Sequence, residues 1–537
     1  MLADLPTLLA QLSQPRAFPV PVERVEVHQT HISAVFVAGE FAYKIRKPVK
    51  LPFLDFSTLE RRHHDCEEEV RLNRRLARKI YVGVVPICED HDGCHFEGNG
   101  DVVEWAVKMR RLPEEASLQA RIWGGTLERQ SLIDLGKRLS AFHRTARRDP
   151  HIASFGRFEG VALNLRQNLE LARHQVGREI SPEVFRRLEH CQEASLERLR
   201  PLIEARAGRG VPCETHGDLH LDHVYFFPGE TPPDDVVMVD CIEFNERFRY
   251  TDPIADMAFL VMDLKFHGRR DLARLFAESY FAASADAEGR ALLGLYSGYR
   301  AAVRGKVEGM LREEPEVPEA ERNRAGGRAR GHWLLALGEL LPAGERPGLV
   351  LVGGLPGTGK STLARALAQP QGAEVIRTDV VRKQLAGIAP ESSGRDVPGL
   401  YSREMTAKTY AETLRQADEA LWLGKRVVVD ATFSKEEPRH RFLELADRLA
   451  VPVGLLLCEA PEEVIRERLD GRRGDASDAD WQVYRQAREL WEPLSAVTSR
   501  RAHSISTTAS PAELVTRLQP VLAGWELAES PGMIAGA

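Results

Sequence analysis

Gly354-Leu355-Pro356-Gly357-Thr358-Gly359-Lys360-Ser361-Thr362 is the stretch on which the reading of this chain turns. It has the spacing glycine, four residues, glycine, lysine, serine or threonine. A phosphate cradle needs backbone N–H groups pointing inward with no Cβ in the way, which Gly354, Gly357 and Gly359 allow. Thr358 and Thr362 complete the loop. Lys360 would reach the β- and γ-phosphates, and the Ser361 hydroxyl would ligate Mg²⁺. Leu349-Val350-Leu351-Val352 reads as a buried strand entering the loop. The helix leaving it runs from Ser361 to Ala368, with Leu363, Ala366 and Leu367 on one face and Pro370 as a stop. Its N-terminus adds partial positive charge beneath the phosphates.

Working outward, short apolar strands alternate with helical stretches from Gly348 to about Trp525. The strands are Leu349–Val352, Glu374–Ile376, Arg426–Val429, Val453–Cys458 and Ser504–Ser506, the βαβ pattern of a parallel sheet covered on both faces. Pro342 to Pro347 reads as a linker, and residues 526–537 as a loose tail. The domains expected are therefore 1–341 and 348–525. In the first, Val35–Val37 and Ala42–Ile45 alternate like a hairpin, and Val102–Val107 is another strand. After Ser117 the pattern is mainly helical, interrupted by Val236–Val239. A small β-rich lobe followed by a larger helical lobe is expected, with residues 312–330, polar and rich in Pro and Gly, as a solvated loop.

The 537 residues exceed what one core supports. The chain is 43% hydrophobic and 28% charged, ordinary for a globular protein, and its formal net charge of -6 argues against a surface built throughout for nucleic acid. Seven cysteines without CxxC pairing read as reduced thiols of a cytoplasmic protein. The N-terminus is a poor signal peptide, and no apolar run approaches a membrane span.

Behind the phosphate loop, Asp379 sits at the end of a strand, where ligands gather in open α/β sheets. A carboxylate there can take a proton from an attacking hydroxyl. Arg382 follows on the same face of a helical turn and can hold an anionic acceptor. An N-cap Asp with a solvent-facing Arg is the plainer alternative. Val427-Val428-Val429-Asp430 is a second apolar strand ending in an acid, as a carboxylate near Mg²⁺ requires, although such an Asp can also simply cap a turn. Arg466, Arg468, Arg472 and Arg473 form either a lid over the transferring phosphoryl group or a solvated helical face.

Gly354 to Thr362, Asp379-x-x-Arg382, Asp430-Ala431-Thr432 and the arginine cluster together resemble the P-loop kinases grouped with polynucleotide 5′-hydroxyl kinases, gluconate kinases and zeta toxins. In the polynucleotide kinases the Asp-x-x-Arg segment supplies the general base and an acceptor-phosphate contact. The resemblance therefore implies these roles for Asp379 and Arg382, and covers most of residues 348–510.

Thr215-His216-Gly217-Asp218-Leu219-His220-Leu221-Asp222-His223, followed by Val239-Asp240-Cys241-Ile242-Glu243, is the second constellation. Phosphoryl transfer needs one carboxylate by the nucleophile and another holding the metal, for which Asp218 and Asp240 are the candidates; two polar turns around a hairpin are the alternative. The segment resembles the aminoglycoside phosphotransferase family, with its protein-kinase-like fold. The resemblance implies a catalytic role for Asp218, a metal-binding role for Asp240, an α/β-phosphate contact for Lys44 and a hinge receiving adenine at Met109–Pro113. It gives Asp252 and Asp256 supporting roles. Glu69, on a helical face with Leu72, Asn73 and Leu76, is the expected partner of Lys44, with Glu68 as competitor. It spans roughly residues 25–264.

One departure stands out. The family places Asn five residues after the catalytic Asp, as a metal ligand, and this chain has His223. Mg²⁺ holds imidazole poorly. His223 would leave one metal unbound, favour Mn²⁺, or mark a domain without turnover; Asp222 is one position off. The joined architecture resembles bacterial proteins described as fused aminoglycoside-phosphotransferase-like and ATP-binding domains. The expectation is a tandem kinase using ATP and Mg²⁺ to phosphorylate a hydroxyl of a small metabolite, a nucleotide or a polynucleotide 5′ end. An aminoglycoside-type kinase with the P-loop domain as helper, and a nucleotide-gated regulator with little turnover, are the competing expectations.

Overall fold

The computed structural model describes residues 4–51, 54–394, 397–471 and 477–529. The chain divides into two compact units. One comprises Met1–Ala162, Leu199–Leu264 and Asp271–Leu293; the other comprises Leu163–Arg198, Lys265–Arg270 and Gly294–Ala537.

The first unit opens with a six-stranded antiparallel sheet in the order Val25–Gln29, Ser33–Ala38, Phe41–Arg46, Asp101–Arg110, Tyr81–Asp90, Gly93–Phe96. Alternation along Ser33–Ala38 and Phe41–Arg46 buries Phe36, Tyr43 and Ile45 on one face against Phe96 and Phe18. The helix Leu59–Asn73 packs on the sheet. Thr58 caps it by accepting from the Arg61 amide, which satisfies one of the first-turn donors. The remainder is mainly helical and carries two short antiparallel pairs, Val224–Phe226 with Val236–Met238 and Cys213–Glu214 with Tyr250–Thr251. This is the expected β-rich lobe followed by a helical one.

The second unit holds a five-stranded parallel sheet in the order Glu374–Arg377, Arg426–Asp430, Gly348–Gly353, Val453–Glu459, Ala502–Ser506. Leu349, Val350, Leu351 and Val352 in its central strand are at most 3% exposed. Each such burial stabilises the fold by about 1.5–3 kcal/mol. The helix Lys360–Ala368 leaves the phosphate loop directly after Gly359 and packs on the strand Arg426–Asp430 and the helix Pro511–Gly524.

Two expectations are corrected. Residues 312–330 are not a solvated loop, because a helix ends at Glu313 and another spans Glu319–Leu340. The charge is taken up by Arg328, which donates to both Glu308 and Glu321, and small residues let the helix sit close: Ala325, Gly326 and Ala329 are buried. Nor is the chain loose from Glu526 to Ala528, while residues 530–537 of the expected tail lie outside the described residues. The Glu526 carboxylate meets Arg270 at 2.6 Å, Arg346 at 3.4 Å and Lys265 at 3.7 Å, and Leu527 and Ala528 are buried.

Candidate functional site

In the second unit the phosphate loop sits between the strand Gly348–Gly353 and the helix Lys360–Ala368. Gly354, Gly357 and Gly359 have φ of +137°, +80° and +86°. A Cβ on Gly354 would lie 2.6 Å from the Cys458 carbonyl oxygen, and one on Gly357 would lie 2.8 Å from Ile465 Cγ2. Only glycine tolerates both the conformation and the space. Thr358 is buried and braces the loop: its hydroxyl donates to the Leu355 carbonyl at 2.7 Å, and its own carbonyl accepts from the Thr507 hydroxyl at 2.7 Å. Lys360 Nζ donates to the Leu355 carbonyl at 2.9 Å, which holds the ammonium within the loop. Thr362 is exposed in the first helical turn.

The parallel register sets Arg377 beside Asp430 at the carboxyl ends of their strands. Asp379 lies two residues further on, in the first turn of the helix Thr378–Leu385. Burial and the neighbouring Asp430 charge push the Asp379 carboxyl above the usual range, opposed by Lys360, the Ser477 hydroxyl and Arg382. Asp379 thus follows directly on the strand end that pairs with Asp430, close enough to feel the charges of Asp430 and Lys360. Arg377 bridges the two candidate cation ligands, donating to Asp430 Oδ2 at 3.2 Å and to Ser361 Oγ at 3.3 Å. Glycine cradle, helix N-terminus, hydroxyl and carboxylate are hard oxygen and N–H groups of the kind that hold a polyphosphate and Mg²⁺.

Arg382 is 9% exposed. Its Nη1 donates to the Leu400 carbonyl and the Thr406 hydroxyl, both at 3.1 Å, and its guanidinium lies over the Tyr401 ring. It is thus no solvent-facing arginine. The expected lid is less of a cluster than its spacing implies. Arg468 donates to the Thr507 hydroxyl and carbonyl at 3.1 and 2.8 Å, whereas Arg466 stacks on Trp481. Arg472 and Arg473 lie outside the described residues.

In the first unit, the strand Phe41–Arg46 carries Lys44 and the helix Leu59–Asn73 carries Glu69, which is fully buried. Lys44 Nζ donates to Glu69 Oε1 at 3.0 Å and to Asp240 Oδ1 at 2.7 Å. Glu68 turns instead to Arg71. Arg46 binds Glu69, Asp65 and Glu243 from one guanidinium, a junction no spacing in the chain announces. Glu243, buried among these carboxylates, is pushed up to about 8. Asp240 has φ of +64°, a conformation fixed by hydrogen bonds from its own amide to Tyr81 and from the Cys241 amide to Asn73. Despite desolvation, Lys44 holds the Asp240 carboxylate below its usual range. Asp256 accepts from the amides of His216 and Gly217 at 2.6 and 2.8 Å and so fixes the turn that presents Asp218. Asp252 is bound to Arg206 at 2.7 Å.

His223 Nδ1 lies 2.8 Å from the Asp218 carbonyl, so it carries the proton and donates; Nε2 then keeps its lone pair and faces Asp240 Oδ2 at 3.6 Å. Burial and the adjacent His220 lower its pKa, which keeps the ring neutral. Asp218, His220 and His223 offer ligand atoms within 4.8 Å of one another. Met109 is the penultimate residue of the strand Asp101–Arg110, in register with Ala42 and Tyr81. Among the described residues no helix is long and apolar enough to cross a membrane.

Each unit thus brings a lysine and carboxylates together near a glycine-containing turn. The profile of the "Phosphotransferase enzyme family" (APH) matches residues 52–295, and that of an "AAA domain" (AAA_33) matches residues 349–494. The chain is a kinase: an APH-type phosphotransferase domain followed by a P-loop kinase domain. A protein of Mycobacterium tuberculosis, named only as uncharacterized, is 36% identical over 470 residues, 87% of this chain and 90% of the relative. A Mycobacterium bovis protein matches equally. The chain belongs to the same family as these proteins. Among solved structures, a choline/ethanolamine kinase family protein from Mesorhizobium loti is 13% identical, with a TM-score of 0.35, covering 63% of this chain and 96% of that one. A gluconokinase from Sinorhizobium meliloti is 20% identical, with a TM-score of 0.25, covering 34% and 94%.

Proposed function

We propose that the P-loop unit transfers the γ-phosphoryl group of ATP to a hydroxyl of a small metabolite, a nucleotide or a polynucleotide 5′ end, with Asp379 as the general base. The observation that carries this reading is a glycine cradle holding Lys360, with Asp379 directly after the strand end that pairs with Asp430; its raised pKa accords with that position. A carboxylate near the phosphate cradle can accept the hydroxyl proton, and a raised pKa makes it a stronger base. ATP supplies the phosphoryl group, and Mg²⁺ with it the charge compensation. The loop amides and Lys360 hold the polyphosphate, while Ser361 and Asp430 offer oxygens to the cation. Arg382, packed by Leu400, Thr406 and Tyr401, would bind the acceptor as a fixed positive charge; Arg468 and Arg472 would compensate charge as phosphoryl transfer proceeds. The test is transfer of label from γ-labelled ATP across 5′-hydroxyl oligonucleotides, sugars, nucleosides and aminoglycosides. One acceptor class should be labelled, and Lys360→Ala should abolish that labelling.

A second reading concerns the first unit. Lys44, Glu69 and Met109 support nucleotide binding, and Asp218 would take the acceptor proton. The lone pair of His223 Nε2 turned toward Asp240 supports a cation position with one nitrogen and one oxygen donor, which suits Mn²⁺ better than Mg²⁺. The supporting experiment is metal-dependent ATP hydrolysis with each ion. We place the protein in the cytoplasm on its seven unbridged cysteines.

A further inference from the structure

Arg377 was not among the residues that the motifs single out, yet it sits at the centre of the P-loop site. It closes the strand Glu374–Arg377 and is the register partner of Asp430. One guanidinium spans the two groups read above as donors to the divalent cation: Nε donates to Asp430 Oδ2 at 3.2 Å and Nη2 to Ser361 Oγ at 3.3 Å. The environment makes this contact strong. The Arg377 side chain is 16% exposed and that of Asp430 is 6% exposed. The Thr378 hydroxyl also donates to the Asp430 carbonyl at 3.2 Å, which fixes the backbone between the two strand ends. A guanidinium keeps its charge at every working pH, and its planar fork suits two acceptors at once.

The two cations compete for these oxygens. Mg²⁺ draws its ligands to about 2.0–2.1 Å and tolerates little distortion. A guanidinium bonded to the same carboxylate oxygen both withholds a lone pair and repels the incoming charge.

We propose that Arg377 is an internal cation that exchanges with the divalent metal on Ser361 and Asp430. It keeps the two ligands oriented, and it yields them when the metal arrives with nucleotide. Arg377 is therefore a positioning residue, and it lowers the intrinsic metal affinity of the P-loop site. The inference rests on the reading of Ser361 and Asp430 as the cation's oxygen donors.

The test is a titration of Mn²⁺ into the full chain, reading free Mn²⁺ by electron paramagnetic resonance, for the wild type, Arg377→Gln, Arg377→Lys and Asp430→Asn. The cation position of the first unit contributes the same background to all four. Asp430→Asn should remove or strongly weaken one Mn²⁺ site. Arg377→Gln should tighten that same site about tenfold, the scale of one charge-assisted hydrogen bond. Arg377→Lys, whose single ammonium cannot span both oxygens, should fall between. If Arg377→Gln fails to fold, Arg377→Met is read by the same titration. Unchanged or weaker Mn²⁺ binding in Arg377→Gln, at a site that Asp430→Asn removes, overturns the exchange. Binding that Asp430→Asn leaves untouched overturns the ligand reading itself, and the inference with it. A purely structural role for Arg377 would loosen the site, the opposite sign.

Discussion

Replacing Glu526 by Gln tests how the P-loop unit is held together. The carboxylate is the meeting point of Arg270, Arg346 and Lys265, with side-chain exposures of 15%, 19% and 11% against its own 15%. Removing one partner of a buried ion pair costs about 3–5 kcal/mol. Two features reduce that here. The group is partly solvated, and each cation keeps another acceptor: Arg270 the Ala450 carbonyl, Arg346 the Leu341 carbonyl, Lys265 the Glu339 carboxylate. A loss of about 2–3 kcal/mol is therefore expected at neutral pH. Denaturant unfolding of the full chain, followed by circular dichroism, measures it. The pH dependence adds a sign. Although burial opposes it, the three cations hold Glu526 below the ordinary Glu range. A depressed folded-state pKa stabilises fully above the unfolded value, about 4.3, and the contribution fades as pH falls below it. The gap between wild type and Glu526→Gln should be constant from pH 8 to pH 6 and narrow below about pH 4. A loss under about 0.5 kcal/mol, or a gap that widens in acid, would refute this reasoning.

Gly354→Ala forces a Cβ against the Cys458 carbonyl at φ of +137°. Strain of about 1–3 kcal/mol should appear as roughly 5–150-fold weaker nucleotide binding at the site that Lys360→Ala also removes; titration with a fluorescent ATP analogue reads it, and unchanged affinity contradicts the cradle. His223→Asn should shift metal-dependent ATP hydrolysis by the first unit from Mn²⁺ toward Mg²⁺ by about tenfold or more. A wild-type activity already faster with Mg²⁺, and slowed by the substitution, would make His223 a working part of an Mg²⁺ site. A chain beginning at Gly348 lacks Lys265, Arg270 and Arg346, the three cations that meet Glu526 among the described residues, as well as Arg330, which lies 2.7 Å from Asp418. Its unfolding midpoint should fall below that of the full chain's P-loop unit in the same denaturant series.

The strands of the P-loop unit were legible because runs such as Leu349–Val352 and Val427–Val429 are buried on both faces and carry no competing pattern. Local spacing also marked Gly354, Lys360 and Ser361, since the loop is contiguous. Helical phase favoured Glu69 over Glu68 but left Glu68 in competition, until its contact with Arg71 set it apart. What depended on pairing across the fold was not legible. Arg377 faces Asp430 only because two strands distant in sequence are neighbours, and Arg46 gathers three acids from two separate segments. The helix Glu319–Leu340 was masked by its charge, which ion pairs to Glu308 and Glu321 absorb. Arg466 and Arg468 read as one cluster in sequence, yet two positions apart on a helix they point to different partners.

The central claim is that Asp379 is the base of the P-loop unit. It is tested by single-turnover phosphoryl transfer to whichever acceptor the labelling panel identifies, comparing wild type with Asp379→Asn and measuring ATP-analogue affinity alongside. The account predicts a rate lower by roughly 10²–10⁴-fold, the usual worth of a general base, with nucleotide affinity nearly unchanged. Transfer at the wild-type rate, or a parallel loss of nucleotide binding, would contradict it.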